Sequence, residues 1–275
     1  MNKKGVTNMR LKDKVVIVTA STRGIGYAIV EEAAKEGAIV YMAAKNLELA
    51  KEKAEELNNQ GYCVKYVYND ASKKETYKSM VEEVIQAEGR VDVLVNNFGT
   101  SNPKTDLDIA NTKYEDFIET VDMNLASVFL STQAVLPYMR KQRGGSIINI
   151  SSIGGLIPDV ARIGYATSKD AIIYLSKNIA LQEARNNIRV NVVCPGQTAT
   201  DAVLNNMSEE FQTFFMRHTP IKRMGTPKEI ADAVMYFASD GSAFTTGQVI
   251  AVSGGFGMGT PVFADLADMS ADKKH

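Results

Sequence analysis

Tyr165 and Lys169 lie in one short segment whose side chains could carry acid–base chemistry. They are four residues apart, so on a helix they share one face. An ammonium group beside a phenol stabilises the phenolate and lowers the phenol pKa from about 10. Tyr165 could then take the proton of an alcohol or return one to a ketone. Ser152 precedes Tyr165 by 13 residues and could hold the same substrate oxygen by a hydrogen bond.

A glycine-containing loop near the start of the chain could bind a phosphate. It runs from Thr19 to Gly26, between an apolar run and an amphipathic stretch. Glycines allow close backbone approach to a ligand, and the N-terminus of the following helix offers free N–H groups to an anion. We therefore predict a dinucleotide pyrophosphate in this loop. The expected contact residues are Ser21, Thr22, Arg23, Gly24, Ile25 and Gly26.

The end of the second apolar run bears on the choice between NAD and NADP. An acidic residue there would bind the ribose hydroxyls and repel a 2′-phosphate. Here the run ends in Ala44, Lys45 and Asn46, with no acid before Glu48. Lys45 and Arg23 could together bind a phosphate dianion, which predicts NADP as the cofactor. The alternative is that both side chains are ordinary solvated charges.

Short apolar runs alternate with longer amphipathic stretches along the chain. Runs that are apolar throughout predict parallel strands covered on both faces, hence an α/β, doubly wound parallel sheet in a single domain. The predicted strands are 14–20, 38–43, 64–68, 91–96, 146–150, 188–193 and 249–252. The predicted helices are 26–37, 47–60, 73–88, 114–142, 165–185 and 226–238.

Four regions follow from this rhythm. Residues 1–10 form a polar lead-in that we expect to be flexible, and residues 11–257 form the domain. An insertion at about 198–223 interrupts the rhythm and should lie beyond the carboxyl ends of the strands, where ligands bind. Residues 258–275 form a tail that could cover a subunit contact or the substrate mouth, or be disordered.

Composition argues against several classes of protein. The chain has 31 basic and 32 acidic residues, which gives no reason to expect nucleic acid or an anionic membrane as a partner. We predict no membrane span and no signal peptide, and a cytoplasmic location. The two histidines, His218 and His275, and two distant cysteines do not predict a metal site.

The spaced motifs occur together and in order. Asn96-Asn97-Phe98-Gly99, Asn124, Ser152 and Tyr165-Ala-Thr-Ser-Lys169 follow the glycine loop. This set resembles the short-chain dehydrogenase/reductase family, and the resemblance covers residues 11 to about 255. It implies catalytic roles for Ser152, Tyr165 and Lys169, and a water held by Asn124 in a proton relay. Two positions depart from the family pattern, Ala20 in place of glycine and Phe98 in place of alanine.

The resemblance also implies cofactor contacts further along the chain. Tyr165 and Lys169 would face the nicotinamide end, with Lys169 on its ribose. Asp70 would contact the adenine, while Asn97 and Gly99 would pack against the adenosine ribose. The carboxamide end of the nicotinamide would meet Pro195, Gly196, Thr198 and Thr200.

The substrate is predicted from apolar residues around the expected pocket. We expect Phe98, Ile157, Leu204 and Phe211 to line it, the last two from an apolar helical face within the insertion. That face could instead pack onto the body as a lid or core. Three further side chains, Arg162, His218 and Lys222, could meet a substrate carboxylate or be plain surface charges.

Segments 97–100, 153–159 and 257–261 are similar to those of bacterial bile-acid hydroxysteroid dehydrogenases, most of all the clostridial 7α type. This implies NADP-dependent interconversion of a steroid 7α-hydroxyl and its ketone. The 12α enzymes are similar and are not separated by these residues. A β-ketoacyl-carrier-protein reductase is a second alternative, although the even charge argues against docking an acidic carrier protein. An inactive dinucleotide-binding regulator is the non-enzymatic alternative. The family also implies a homo-oligomer, a homotetramer built through helices 114–142 and 165–185.

Overall fold

The computed structural model describes residues 9–206, 208–260 and 262–272. Its centre is a seven-stranded parallel sheet with the order β3-β2-β1-β4-β5-β6-β7. The chain reverses direction across the sheet after β3, which confirms the predicted doubly wound topology. The strands are β1 (Val15–Thr19), β2 (Ile39–Ala44), β3 (Cys63–Tyr68), β4 (Val93–Asn96), β5 (Gly145–Ile150), β6 (Ile188–Pro195) and β7 (Val249–Val252).

Helices connect the strands and cover both faces of the sheet. They are α1 (Gly24–Lys35), α2 (Leu47–Asn58), α3 (Thr76–Glu88), α4 (Tyr114–Gln142), α5 (Ile163–Glu183), α6 (Asp201–Asn206), α7 (Glu209–Arg217), α8 (Pro227–Ala238) and α9 (Phe263–Asp272). The predicted bounds of α4 and β7 are reproduced, whereas α1 and α5 each begin two residues earlier than predicted. Within the described residues, no helix is long and apolar enough to cross a membrane.

The hydrophobic core consists of two layers, one on each face of the sheet. In β1, Val16 and Val18 join the layer under α1 and α8, while Val15 and Ile17 join the layer on the side of α3 and α4. Successive residues of a strand point to opposite faces, so a strand buried on both faces must be apolar throughout. This is why β1 reads as an unbroken apolar run.

The parallel arrangement brings the candidate site residues to one edge. Strands β1, β4, β5 and β6 end at Thr19, Asn96, Ile150 and Pro195, and the carboxyl ends of parallel strands lie along the same edge of a sheet. The glycine loop, the segment after Asn96 and the segment after Ile150 all leave the sheet here. Segments far apart in sequence therefore meet in one cleft.

Two predicted regions at the chain ends can be compared with the structure. Residues 1–8 of the predicted lead-in lie outside the described part of the chain. Arg10, which falls in the same lead-in, bonds the Glu36 carboxylate through its Nε at 2.8 Å and its backbone N at 2.9 Å. The tail contains α9, a helix that we did not predict from the sequence.

Candidate active site

Tyr165 and Lys169 lie one turn apart on α5, as predicted. The Lys169 Nζ is 5.6 Å from the centroid of the Tyr165 ring. The lysine is only 2% exposed, and its Nζ donates a hydrogen bond of 2.9 Å to the Ile150 carbonyl at the end of β5. Ser152 is half-buried in the turn after β5, where its Oγ accepts from the Gly154 N–H at 3.1 Å. The three predicted catalytic side chains therefore lie in one cluster.

Burial controls the ionisation of this cluster. It lowers the pKa of Lys169 to about 8, because a desolvated ammonium is less stable than a neutral amine. Burial also raises the pKa of the Tyr165 phenol, opposed by a hydrogen bond with Ser152 and by the Arg162 guanidinium. The net shift of the Tyr165 pKa is therefore upward in the chain by itself, opposite to the direction that we predicted from the spacing of Lys169. The physical reason is that the pocket disfavours the charged form of both groups.

Asn124 fixes the segment that follows β4. This side chain is fully buried in α4. Its Oδ1 accepts from the Thr100 N–H at 2.8 Å, and its Nδ2 donates to the Thr100 carbonyl and to the Ser168 Oγ, each at 2.9 Å. Asn124 thus joins α4, α5 and the segment after β4 directly behind the Tyr165 and Lys169 cluster. The water predicted for a proton relay stays a prediction.

Asp106 is a site residue that sequence reasoning missed. Its carboxylate accepts from the backbone N–H groups of Gly164 and Tyr165 at 2.7 and 3.0 Å. It therefore caps the N-terminus of α5, whose own N-cap residue, Arg162, makes no side-chain capping bond. The one available signal was a predicted helix that began without a local Ser, Thr, Asp or Asn, and so needed an acceptor from elsewhere.

The glycine loop has the form that a pyrophosphate site requires. Gly24 adopts a φ of +55°, and a Cβ at Gly26 would lie 2.6 Å from the Asn97 Nδ2. The Asn97 amide donates to the Thr19 and Ala20 carbonyls at 3.2 and 3.0 Å, which fixes the turn. Gly26 therefore has no room for a side chain, and the turn depends on a residue from the end of β4.

The start of α1 fits a nicotinamide dinucleotide. Arg23 makes no side-chain capping bond, and the first turn of α1 contains no acidic residue, so its N–H groups are available to an anion. The Ser21 Oγ is buried and has no hydrogen-bond partner within the described part of the chain. Thr22 and Ile25 are half-buried beside it, while Arg23 is exposed. The predicted loop residues thus surround one turn whose N–H groups could bind an anion.

Lys45 and Asp70 meet at the far end of this cleft. The Lys45 Nζ lies 3.1 Å from the Asp70 Oδ2, and Asp70 is buried. Bonds from Ser72 are the main reason that the pKa of Asp70 falls to about 2, and Lys45 adds to the effect. Our interpretation that no carboxylate lies near Lys45 is therefore wrong. The acid comes from the segment after β3, and it reaches Lys45 because β3 pairs with β2 in the sheet, not because the two residues are close in sequence.

The segment after β6 closes over the glycine loop. A Cβ at Gly24 would lie 3.3 Å from the Thr200 Cγ2, so Thr200 lies against the loop. Thr198 is buried, and its Oγ1 donates to the Gly196 carbonyl at 3.0 Å. Gly196, directly after Pro195, packs against Ser253 at the end of β7. On the other side, a Cβ at Gly99 would lie 2.7 Å from the Lys169 Nζ, so Gly99 also belongs to this cleft.

A largely apolar cavity of about 680 Å³ begins at Ile153, the residue after Ser152. Ile157, which we predicted to contact substrate, lines it. Leu204 and Phe98 do not, and Leu204 is 49% exposed, so these two substrate predictions gain no support from the cavity. The Phe211 side chain lies outside the described residues. The cavity is lined by Ile153, Leu156, Ile157, Ile221, Arg223, Gly225, Glu229, Ala251, Val252, Ser253, Gly254, Gly255, Phe256, Gly257 and Met258.

The insertion and the tail hold each other beside this cavity. Phe215 of α7 stacks on Phe256, with ring centroids 4.4 Å apart. Arg217 forms ion pairs with Asp265 and Asp268 of α9 at 2.5 and 3.3 Å. The tail is therefore helical and packs on α7, which the sequence did not predict.

All three basic residues considered for a substrate carboxylate contact other groups of the protein. The Lys222 Nζ donates to the Arg217 carbonyl at 2.7 Å, and so completes the end of α7. His218 lies edge-on to Phe214, with ring centroids 5.3 Å apart. Arg162 contacts the Tyr165 ring instead. Across the described ranges, no group of His, Cys, Asp or Glu side chains could hold a metal ion.

Comparison with known proteins points to the family that these motifs resemble. A family model described as enoyl-(acyl carrier protein) reductase matches residues 19–257. The chain is 50% identical to a 7α-hydroxysteroid dehydrogenase of Clostridium sardiniense over 93% of this chain and 98% of that protein. It is 44% identical to the enzyme of the same name from Paraclostridium sordellii, over 94% and 97% of the two chains.

A solved structure is also similar. A 7α-hydroxysteroid dehydrogenase in complex with NADH and 7-oxo glycochenodeoxycholic acid superposes with a TM-score of 0.86 at 32% identity, covering 90% of this chain and 96% of that one. Motifs, topology and relatives agree: the chain belongs to the short-chain dehydrogenase/reductase family of oxidoreductases, which bind a nicotinamide dinucleotide.

Proposed function

We propose that this protein is an NADP-dependent 7α-hydroxysteroid dehydrogenase that interconverts the 7α-hydroxyl of a bile acid and the 7-ketone. The observation that carries the proposal is the apolar cavity that begins at Ile153, next to the cluster of Ser152, Tyr165 and Lys169. Its volume of about 680 Å³ and its aliphatic lining suit a rigid, largely apolar molecule. The names of the relatives at 50% and 44% identity point to the same substrate class.

In the oxidative direction, the side chains divide the chemistry between them. Ser152 donates a hydrogen bond to the substrate oxygen and holds it beside the phenol. The Tyr165 phenolate takes the hydroxyl proton as the C–H bond breaks, and the oxygen becomes a carbonyl. The hydride acceptor would be the nicotinamide of a dinucleotide bound in this cleft. Lys169 supplies positive charge behind the phenol, and Asn124 keeps the Thr100 segment in place.

The choice of NADP rests on Lys45 and Arg23 at the adenine end of the cleft. Both side chains are largely exposed, and β2 ends in Ala44 without an acidic residue. Asp70 holds Lys45 at 3.1 Å, so a 2′-phosphate would share this ammonium with a carboxylate that stays ionised.

Three bile acids test the substrate and the ring position together. Chenodeoxycholate lacks the 12-hydroxyl, deoxycholate lacks the 7-hydroxyl, and cholate has both. We expect reduction of NADP with cholate and chenodeoxycholate and none with deoxycholate. Turnover of deoxycholate would instead favour the 12α enzyme. Tyr165→Phe should lower kcat by about 10²–10⁴-fold, whereas the matched control Tyr174→Phe, exposed on the same helix, should not change it.

Two other functions are outcomes of the same assays. Reduction of acetoacetyl thioesters without any bile-acid turnover would identify a β-ketoacyl-carrier-protein reductase. An inactive regulator would bind the dinucleotide and turn over neither substrate. For the cofactor, Lys45→Ala and Arg23→Ala should raise the KM for NADP by about tenfold each and leave that for NAD unchanged. Lys51→Ala, an exposed lysine of α2, is the control, and equal affinity in all variants would refute the phosphate assignment.

The partners we propose are the steroid and further copies of this chain. Large apolar side chains are exposed on both α4 and α5, among them Phe129, Tyr174 and Leu181, at 49%, 69% and 81% exposure. Exposed apolar residues on two paired helices favour an interface with a second copy. We expect a homotetramer by light scattering, and Leu181→Glu should shift the mass toward smaller species.

A further inference from the structure

Arg162 contacts the ring of the proposed catalytic tyrosine. Its guanidinium carbon lies 5.3 Å from the Tyr165 ring centroid, compared with 5.6 Å for the Lys169 Nζ. The two cations differ in their burial and in their other contacts. Lys169 is buried and donates to the Ile150 carbonyl, whereas the Arg162 side chain is 47% exposed and its guanidinium lies 3.9 Å from the Asp159 carboxylate. The phenol therefore has a second, more mobile cation close to it.

The backbone at Arg162 is held in a conformation that its residue type disfavours. Its φ of 57° and ψ of 49° lie in the left-handed region, which glycine adopts far more readily than arginine. Two bonds from the preceding loop fix the next residues, Ile163 N to the Leu107 carbonyl at 3.1 Å and Gly164 N to Asp106 at 2.7 Å. Arg162 thus lies at a rigid helix start, from which its guanidinium reaches the Tyr165 ring.

We propose that Arg162 is a positioning residue of the acid–base centre, and that its guanidinium stabilises the phenolate form of Tyr165 while the substrate loses its proton. Three other groups face the phenol: Lys169 on the same helix, Ser152 from the turn after β5 and Cys194 from β6. Asp106 lies at the backbone of the helix start. Asp106 is committed to two backbone N–H groups, and Ser152 is neutral. Arg162 is therefore the partly exposed cation beside the phenol, and it can respond to changes of charge at the protein surface.

The expected size of the effect follows from Coulomb's law. A charge about 5–7 Å away in a partly exposed site shifts an ionisation by about 0.5–1 pH unit. Removing the Arg162 cation should therefore move the acid limb of the pH profile for alcohol oxidation upward by that amount. Removing its counter-ion, Asp159, should move the limb in the opposite direction by a smaller amount.

Four variants separate charge from backbone effects: Arg162→Gln, Arg162→Gly, Arg162→Lys and Asp159→Asn. This test rests on the proposed function, since it measures the pH dependence of kcat/KM for chenodeoxycholate oxidation. We expect the same upward shift in the Gln and Gly variants, near wild-type behaviour in the Lys variant, and the small downward shift in Asp159→Asn. Glycine suits the left-handed backbone, so Arg162→Gly should fold even if the other variants are unstable.

The two proposals fail in different ways. If the wild type does not oxidise bile acids, the proposed function is wrong, and Arg162 is tested without substrate by following the ¹³Cζ resonance of Tyr165 against pH in the complex with oxidised dinucleotide. Tyr165→Phe assigns that resonance. An unmoved titration in both Arg162→Gln and Arg162→Gly would overturn the Arg162 proposal. So would a raised KM for bile acids with an unchanged pH profile, because that result would make Arg162 a substrate-carboxylate ligand.

Discussion

The buried Lys169 ammonium should destabilise the folded chain at neutral pH in the absence of dinucleotide. Burial lowers its pKa from 10.5 to about 8. Between these values the unfolded chain binds more protons than the folded chain, so stability rises with pH through this window. At pH 7 the cost is about 3 kcal/mol, and at pH 9 it falls to about 2 kcal/mol. Lys169→Met, which fills a similar volume without charge, lacks this dependence.

Urea unfolding of the wild type and of Lys169→Met at pH 7 and pH 9 measures the effect. The comparison uses the difference between the two proteins at each pH, because other titrating groups are common to both. The stability of the wild type relative to the variant should rise by about 1 kcal/mol between pH 7 and pH 9. The lost bond to the Ile150 carbonyl affects both pH values equally and cancels. A pH-independent difference would refute the reasoning that burial penalises this charge.

Three further predictions concern the turn after β1, the buried Asn124 side chain and the ion pair between α4 and α5. Ala20 has a φ of 51°, so Ala20→Gly should raise the unfolding free energy by about 1 kcal/mol, whereas Ala28→Gly inside α1 should lower it by about 1 kcal/mol; urea unfolding checks both. Asn124→Leu leaves the Thr100 N–H and carbonyl without their partner, so we expect a loss of about 2–3 kcal/mol and a lower kcat, measured by unfolding and steady-state kinetics. The Arg140 guanidinium lowers the pKa of buried Glu183; this stability is present above pH 4.5 and lost as pH falls through the folded pKa, so Glu183→Gln should lower Tm at pH 7 and have little effect in acid.

The strands and helices could be predicted because the spacing of apolar residues within each short segment indicates its secondary structure. Strand β1 is buried at each of its five positions and apolar at the first four, and this pattern already requires helices on both faces. The bounds of α4 were predicted because its length and amphipathic pattern leave no ambiguity. Helix starts were less certain. At α5, the first turn is completed by Asp106, more than 50 residues away in sequence, so no local residue marks Ile163 as the first helical position.

In the candidate site, too, the features set by local sequence could be predicted and those set by distant contacts could not. Tyr165 and Lys169 share a turn, so their proximity follows from helix geometry alone. The ion pair between Lys45 and Asp70 does not, because it depends on β2 and β3 being neighbours in the sheet. The direction of the Tyr165 pKa was wrongly predicted for a related reason. Sequence spacing gives the distance between charges, whereas the desolvation that outweighs it is set by everything packed around them.

Substrate choice is the property least tied to the motif residues. The cavity is built by the turn after Ser152, by the end of the insertion at Ile221 and by residues 251–258. The insertion is held in place by the ion pairs of Arg217 with α9 and by the stacking of Phe215 on Phe256, which follows β7. None of these contacts touches the proton-transfer cluster, so the cavity can change shape while the chemistry stays the same. We therefore expect the ring position that reacts to depend on how the segments lining the cavity orient the steroid over Ser152 and Tyr165. Variants of the contacts that hold α7, which precedes Ile221, should alter regioselectivity before they alter the rate of proton transfer.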